Sequence, residues 1–384
     1  MAERKARRNH CRQKPGELAE IFMRQDLIAL EFDLPRDVPP VLGVGAFLKN
    51  TVCVASGKKA FVSHDVGNLD TVDAVYRFEE LVTQISHQTG IEPVAVAHDL
   101  HPDFHSSRYA LAMGLQTIPV QHHHAHVAAI MAEHGLEGPI LGLSLDGFGL
   151  GPENQSWGGE LLRVDAQGFE RLGHLALLKQ PGGDAAARQP WRMGAAVLHA
   201  LGRNDEISTK FAEIDGSGVI ATMLARSVNC PETSSAGRLF DAACGLLGVK
   251  LVAEFEGEAP MLLERMVTHP QIQPDGWRID DGVLGLLPVM DSLTHMEAPA
   301  GADLFHGTLV AALTDWAERA AQSSGIRDIA FCGGCFLNAV VREGLADALE
   351  RKGLTPRVAT AITPGDGAIS LGQAWAAGLK LNGE

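Results

Sequence analysis

The sequence has few aromatic residues and no long apolar run. Only 5% of its 384 residues are Phe, Trp or Tyr, whereas hydrophobic residues make up 46% and charged residues 21%. This balance is typical of a globular protein, with cores built from Leu, Val, Ala and Ile. A helix that spans a bilayer needs about 20 consecutive apolar residues. No stretch of that kind occurs, so we expect no membrane partner.

Positive charge is also scarce. The chain has 32 Lys and Arg against 47 Asp and Glu, a net charge of −15. Proteins that bind duplexes or tRNA usually present a basic face, and basic residues are dense only in the first fourteen positions, so we do not expect a nucleic-acid substrate. An amphipathic, acidic segment follows these positions, unlike the apolar core of a secretory signal. We therefore expect a cytoplasmic protein.

Strands that end in glycine-rich turns, with helices between them, predict an α/β protein of two similar lobes. We expect three short strands in 41–65 and a loop-rich connection in 270–299. The predicted domains are an N-terminal tail and helix (1–38), a first lobe (39–180) and a second lobe (181–384). The C-terminal helix of the second lobe is predicted to pack back on the first.

The string QHHHAH places His122 and His126 four residues apart at the start of a predicted helix. On a helix this spacing stacks both imidazoles on one face, one turn apart, where both can reach one metal ion. The glutamate of HExxH is missing, which disfavours metalloprotease chemistry. Because a single helical histidine is usually a structural residue, a metal site needs further ligands.

Two aspartates are placed to complete such a site. Asp146 ends an apolar strand and precedes glycines, and Asp366 lies in a tight turn before a helix. Polar groups at the tips of buried elements often form binding sites, although Asp366 can equally be a helix cap without any metal. Two His and two Asp suit Zn or Fe(II), and the pattern does not choose between them.

Glycine-rich turns elsewhere are typical of nucleotide binding. Gly333 and Gly334 follow a strand and precede a helix, so a phosphate or adenosine can approach the backbone there. Asp241 lies one helical turn after Gly237, where its carboxylate can accept a ribose hydroxyl. Lys49 lies at a bend where its ammonium can hold a phosphate, but a plain hairpin with an exposed lysine explains it equally well.

Two further segments leave alternatives open. PGGDAAARQPWRMG contains Asp184, Arg188 and Arg192, and guanidinium groups suit a phosphate or carbamate oxygen. A structural ion pair between Asp184 and Arg188, four residues apart, is an equally good interpretation. Cys332 and Cys335 form a CxxC, typical of a redox pair or half a zinc site. Without a second CxxC, we expect free thiols for all six cysteines.

Ten strings together resemble the Kae1-like domain of the hydrogenase-maturation carbamoyltransferases, the HypF family. They run in the family's order from about Pro39 to near the end of the chain: GAFLKNT, DLHPDFHSSRYA, VQHHHAHVAA, LDGFGLG, WGGE, GGDAAARQPWRMG, SSAGRLFDA, EFEGEAPMLLE, GGCFLN and GDGAISLGQA. The family's acylphosphatase, zinc-finger and YrdC-like domains are not matched. We therefore expect either an excised domain or a naturally short form.

The resemblance implies an actin-like ATPase (ASKHA) fold with a nucleotide cleft between two lobes. It implies a mononuclear Zn or Fe site on His122, His126, Asp146 and Asp366. The implied nucleotide contacts are Asp241, Gly333, Gly334, Asn338, Lys49 and Glu264. The implied reaction moves carbamoyl from carbamoyl-adenylate to the C-terminal cysteine of HypE, on the route to the cyanide ligand of NiFe-hydrogenase. A nucleophile on the partner agrees with the lack of a Ser-His-Asp or Cys-His constellation.

Other functions share parts of this pattern. One is carbamoylation of a small molecule, as in antibiotic O-carbamoyltransferases. Another is the tRNA threonylcarbamoyl branch, which shares the fold and metal but lacks GGDAAARQPWRMG and DLHPDFHSSRYA. A non-catalytic scaffold would bind metal or nucleotide and a partner protein, and a metal hydrolase would destroy carbamoyl-adenylate without an acceptor.

Overall fold

The structure is a computed structural model that describes residues 26–383. Its strands are β1 Ile28–Gly43, β2 Cys53–Ser63, β3 Ala95–Asp99, β4 Gln116–Val120, β5 Ile140–Leu150, β6 Ser156–Asp165, β7 Gly168–Leu175, β8 Leu178–Lys179, β9 Glu232–Thr233, β10 Arg278–Asp280, β11 Val283–Gly285, β12 Asp328–Cys332 and β13 Thr355–Val358. Its α-helices are α1 Val72–Thr89, α2 His105–Ala112, α3 His122–Glu133, α4 Asp184–Arg188, α5 Pro190–Ala200, α6 Ile207–Lys210, α7 Ser217–Arg226, α8 Ala236–Leu247, α9 Glu258–Arg265, α10 Leu287–Leu293, α11 Ala298–Ser324, α12 Ala339–Arg351 and α13 Ile369–Gly383.

The strands between residues 26 and 383 form two sheets. The smaller has the order β2-β1-β3-β4, and the larger has the path β10-β11-β7-β6-β5-β12-β13, with β9 joining β6 to β8. β5 is buried along most of its length between β6 and the parallel strand β12. Central strands of this kind are apolar on both faces, and ligand sites gather beyond their carboxyl ends.

Helices α3 and α13 lie between the two sheets. One buried apolar cluster contains residues of both helices together with β1 and β2 of the smaller sheet and Ile140, Leu162 and Ala330 of the larger. A second cluster lies under the larger sheet with α5, α8 and α11, and a third packs α1 on the smaller sheet. Side chains at the starts of α3 and α13 can therefore approach the ends of strands from both sheets.

The structure corrects three boundaries predicted from the sequence. Residues 28–38, assigned to a tail and helix, belong to β1, because apolar and charged residues alternate there with the two-residue period of a strand; the part before residue 26 lies outside the described residues. The segment 41–65 holds the end of β1 and one continuous β2 rather than three strands. Strands β5 to β8 precede residue 180 but pair within the larger sheet, so the sheets divide the chain near residue 139.

The connection 270–299 also contains more regular structure than predicted, since β10, β11 and α10 lie within it. In residues 26–383, none of the helices has the length and apolar character needed to cross a membrane.

Candidate metal and nucleotide site

Helix α3 presents the two predicted histidines at its N-terminus. Gln121 caps the helix by accepting from the His124 amide (2.9 Å), and the helix continues through a run of small apolar residues. The rings of His122 and His126 lie on one face, with centroids 4.9 Å apart. Both side chains are buried.

Asp146 lies where β5 loses its regular pairing. The register with β6 shifts between Leu145 and Gly149, and pairing with β12 ends at Ser144. Such irregularities redirect side chains. Asp146 Oδ1 accepts from the amides of Gly147 (2.8 Å) and Gly334 (3.1 Å), which leaves Oδ2 facing the histidines.

Asp366 opens a single 3-10 turn, Asp366–Ala368, that leads into α13. Gly372 lets α13 cross α3 closely, because a Cβ there would overlap the Ala125 carbonyl oxygen of α3. The Thr51 hydroxyl donates to the Gly367 carbonyl (2.8 Å). The GAFLKNT turn thus holds the Asp366 turn from the side of the smaller sheet.

The four predicted ligands converge. The two Nε2 atoms and one oxygen of each carboxylate all lie within 4.8 Å of one another. Asp146 Oδ2 is 3.0 Å from His126 Nε2 and 3.4 Å from His122 Nε2, and Asp366 Oδ1 is 3.7 and 3.6 Å from the same atoms. His122 Nε2 is buried without a hydrogen-bond partner among the described residues. Two imidazoles and two carboxylates around an unpartnered nitrogen fit Zn or Fe(II).

The cluster compensates its own charge. Burial opposes protonation of His122, but Asp99, Asp146 and Asp366 outweigh it and raise the pKa of this imidazole well above 6.5. Burial also opposes protonation of His126, but Asp146 and Asp366 outweigh it and raise the pKa of this imidazole. Burial favours neutral Asp146, yet the two adjacent imidazoles, His122 and His126, hold its pKa well below the ordinary range. The carboxylates around the two imidazoles therefore favour positive charge at this position, which either a bound cation or protons can supply.

Asp99 is a site residue that the sequence analysis missed. It ends β3, its side chain is 1% exposed, and its Oδ2 accepts from His122 Nδ1 at 2.7 Å. A carboxylate on the far nitrogen of a ligand histidine fixes the tautomer and strengthens the ligand. Its position at the end of the apolar string PVAVAHD is the same signal that identified Asp146.

A buried network supports Asp146 from the other side. The Ser235 hydroxyl, which caps α8, donates to the carbonyl oxygens of Gly147 (2.6 Å) and Asp146 (3.2 Å). The neighbouring Ser234 hydroxyl donates to the fully buried carboxylate of Glu160, which also accepts from Arg171. The WGGE and SSAGR strings therefore serve to hold the Asp146 turn.

The glycines predicted to contact a nucleotide lie beside this cluster. Gly333 has a φ of 93° and packs against the Leu145 backbone, where a side chain would clash. The Gly334 amide is already bonded to Asp146. A Cβ on Gly237 would lie 3.0 Å from Gly147 Cα, so the start of α8 also reaches the Asp146 turn.

Asp241, Asn338 and Glu264 are engaged within the protein. Asp241 accepts from Arg238 (2.7 Å) and burial raises its pKa. Asn338 caps α12 and contacts His306 (3.0 Å), while Glu264 accepts from the Ala339 amide (2.7 Å). Contact of these residues with a nucleotide stays a prediction.

Lys49 is exposed at a strained turn, with a φ of 44°. Its amide donates to Asn68 (3.0 Å), and its neighbours Asn50 and Thr51 direct their side chains into the protein. The Lys49 ammonium is therefore free to meet a ligand.

Glu256 is a second residue that sequence reasoning missed. It is exposed, and its Oε1 lies 3.9 Å from where a Cβ on Gly147 would stand. Partial burial, then the negative charges of Asp366 and Asp146, raise its pKa. A carboxyl with a raised pKa next to a candidate metal site is a candidate proton acceptor.

Among the described residues, no hydrogen bond or ion pair joins the predicted substrate residues to the four ligand side chains. Asp184 and Arg188 are exposed, and no ion pair joins these two described residues. Arg192 is bound to Gln189 (2.7 Å) and to the Pro181 carbonyl (3.3 Å). Their role in substrate binding stays a prediction.

The two cysteines of the CxxC are not joined by a disulfide. All five cysteines within the described range are free thiols. Burial raises the pKa of Cys332 to about 12 and that of Cys335 well above its ordinary value. Both thiols are therefore protonated near neutral pH and are poor nucleophiles.

Comparisons with known proteins agree with this geometry. The family profile described as the HypF Kae1-like domain matches residues 36–133. The profile described as the second subdomain of the carbamoyltransferase Kae1-like domain matches residues 142–373. The gap between them coincides with the division of the chain between the two sheets.

Individual relatives match over most of the chain. Carbamoyltransferase HypF2 of Cupriavidus necator is 45% identical over 90% of this chain and 47% of its own length. A carbamoyltransferase HypF homolog of the same organism is 41% identical over 89% of this chain and 92% of its own. A crystal structure of full-length HypF in the phosphate- and nucleotide-bound form has a TM-score of 0.85 at 32% identity, covering 92% of this chain and 57% of that one.

The fold is that of a Kae1-like domain of the actin-like ATPase class, as the resemblance predicts. The chain belongs to the HypF carbamoyltransferase family. It spans about half the length of most of the curated relatives that it matches.

Proposed function

We propose that this chain is a carbamoyltransferase of NiFe-hydrogenase maturation. It transfers carbamoyl from carbamoyl-adenylate to the C-terminal cysteine of a HypE-type acceptor protein. The observation that carries the proposal is the buried convergence of His122, His126, Asp146 and Asp366 in a chain of this family. When bound there, Zn or Fe(II) supplies a Lewis acid for the oxygens of an acyl-phosphate anhydride.

The AMP moiety of carbamoyl-adenylate would bind beside the cluster, along the starts of α8 and α12. Gly237 and Gly333 keep side chains away from the backbone next to Asp146, and Lys49 offers an exposed ammonium at the opposite turn. That a relative, full-length HypF, was solved in a nucleotide-bound form supports the proposal that this chain binds a nucleotide.

Among the described residues, all five thiols have pKa values raised by burial and are poor nucleophiles, so in this proposal the acceptor protein supplies the attacking thiol. The acceptor thiol forms the S–C bond while the C–O bond to phosphate breaks and AMP leaves with the electron pair. The thiol proton goes to Glu256, whose raised pKa and exposure at the mouth of the site suit a proton acceptor. Asp99 holds the His122 ring during this step.

Mass spectrometry of the acceptor tests the proposal directly. Purified chain is incubated with preformed carbamoyl-adenylate and a HypE-type protein, with a Cys→Ser acceptor as control. We expect one carbamoyl group on the terminal cysteine, and loss of that product in His122→Ala. An unmodified acceptor with intact carbamoyl-adenylate would leave only a scaffold, and consumption of carbamoyl-adenylate without any acceptor would indicate a hydrolase. Carbamoyl found only on added small-molecule alcohols would indicate the small-molecule branch.

A further inference from the structure

A carboxylate on the ligand helix is bound by a run of backbone amides outside the cluster. Glu133 is the last residue of α3, and its side chain is 4% exposed. It accepts from the Thr360 amide (3.1 Å), the Thr360 hydroxyl (2.9 Å), the Ile362 amide (3.0 Å) and the Ala361 amide. Hydrogen bonds to a charged acceptor are about twice as strong as neutral ones, so this contact firmly holds the segment.

Glu133 lies on the same face of α3 as the two ligand histidines. It is seven residues beyond His126 and eleven beyond His122. An α-helix turns by about 100° per residue, so these spacings are two and three whole turns to within roughly 20°. At a rise of about 1.5 Å per residue, Glu133 stands roughly 10 Å beyond His126 along the helix.

The segment 360–366 runs back along that face from Glu133 to the histidines. Its first residues bind Glu133, and its last, Asp366, faces both Nε2 atoms. The end of the segment next to Asp366 is fixed by the Gly333 amide, which donates to the Pro364 carbonyl (2.7 Å). At the other end, residues 360–362 have no regular secondary structure, so the Glu133 carboxylate accepts the hydrogen bonds of their backbone amides.

We propose that Glu133 is a positioning residue for the metal site. By holding 360–362 against the end of α3, it sets how Asp366 stands relative to the imidazoles on the same helix. The inference rests on the metal site of the proposed function. A glutamine retains one acceptor oxygen in place of Oε1 but loses the negative charge, and its NH₂ group would take the place of Oε2, which accepts from the Thr360 amide at 3.2 Å.

Metal titration of the chelator-treated chain tests the inference without an activity assay. Co²⁺ binding is followed by its visible absorption, and Zn²⁺ affinity by competition. For Glu133→Gln we expect affinity about 10–100-fold weaker, as for other groups that orient metal ligands, and a changed Co²⁺ spectrum. Glu137→Gln is the matched control, since Glu137 is exposed and paired with Arg36, and it should change neither.

Two further variants separate positioning from general stability. Thr360→Ala removes one donor and should weaken binding less, in the same direction, even if Glu133→Gln does not fold. In a double variant with Asp366→Asn, the two losses should not add, because both act through one ligand. Wild-type affinity and spectrum in folded Glu133→Gln or in Thr360→Ala would overturn the inference. A wild-type chain that binds no Co²⁺ through His122 would instead overturn the metal site, and this inference with it.

Discussion

The metal cluster and the segment from Asp184 to Arg192 were both predicted as functional, and the structure treats them differently. The cluster brings four side chains from α3, β5 and the start of α13 within 4.8 Å. In the other segment, Asp184 and Arg188 remain exposed and Arg192 binds its own neighbours. Residues at the ends of buried elements converge because the core fixes those ends. Residues that merely suit a ligand chemically have no such constraint.

The largest expected effect breaks the cluster itself. His122→Ala removes one of two imidazoles, and we expect loss of the bound ion with the fold retained, since this ring belongs to none of the three apolar clusters. Elemental analysis and circular dichroism of the purified variant check both parts. His124→Ala on the same helix is the control, because its ring packs near Phe169 instead. Unfolding of His122→Ala alone would mean that the site is structural.

A smaller effect is expected at Asp99, which contacts His122 and not the ion itself. Asp99→Asn leaves an acceptor for His122 Nδ1 but removes the charge, and we expect metal affinity about 10–100-fold weaker. Asp103→Asn, an exposed change on the same loop, should leave affinity unchanged in the same titration. Equal affinities for both variants would rule out the proposed role of Asp99.

Removal of the metal should expose a dependence of stability on pH. The folded chain holds protons on His122 and His126 more tightly than the unfolded chain, because their pKa values are raised above 6.5. That stabilisation is fully present below pH 6.5 and is lost as the pH rises through the raised values. As the pH rises above 6.5, the Tm of chelator-treated protein should therefore fall further than the Tm of the variant that lacks both histidines. Parallel curves for the two proteins would argue against the raised pKa values.

The smallest effect should fall on the segment outside the cluster. Arg188→Ala should leave metal affinity unchanged and alter the free energy of unfolding by less than about 0.5 kcal/mol, because the side chain is exposed. If Arg188 binds substrate, the change will be a raised KM for carbamoyl-adenylate with an unchanged kcat. Weaker metal binding by Arg188→Ala would contradict the prediction that this segment acts independently of the metal cluster.

Local patterns account for what could be predicted from the sequence. The four-residue spacing of His122 and His126 depends only on helix geometry, and the α/β class depends on the order of strands and helices. The partnership of Asp99 with His122 could not be read in this way, because it depends on how β3 lies against α3. The division of the sheets near residue 139 was missed for a similar reason, since pairing between β5 and the distant β12 decides it.

The GAFLKNT turn is another place where the local sequence pattern did not reveal the tertiary contacts. The sequence suggested that the bend at Lys49 holds a phosphate, yet the neighbouring Asn50 amide donates to Val44 and Ala46 and the Thr51 hydroxyl to Gly367. Only Lys49 keeps its side chain at the surface. A polar residue in a turn can serve the fold or a ligand, and only the tertiary contacts distinguish the two.

Anomalous diffraction from crystals of the metal-loaded chain, measured at the Zn and Fe absorption edges, tests the central claim most directly. The account predicts one strong peak between His122, His126, Asp146 and Asp366, with Asp99 bonded to the far side of His122. A peak at other residues, or these four side chains too far apart to share one ion, would contradict it.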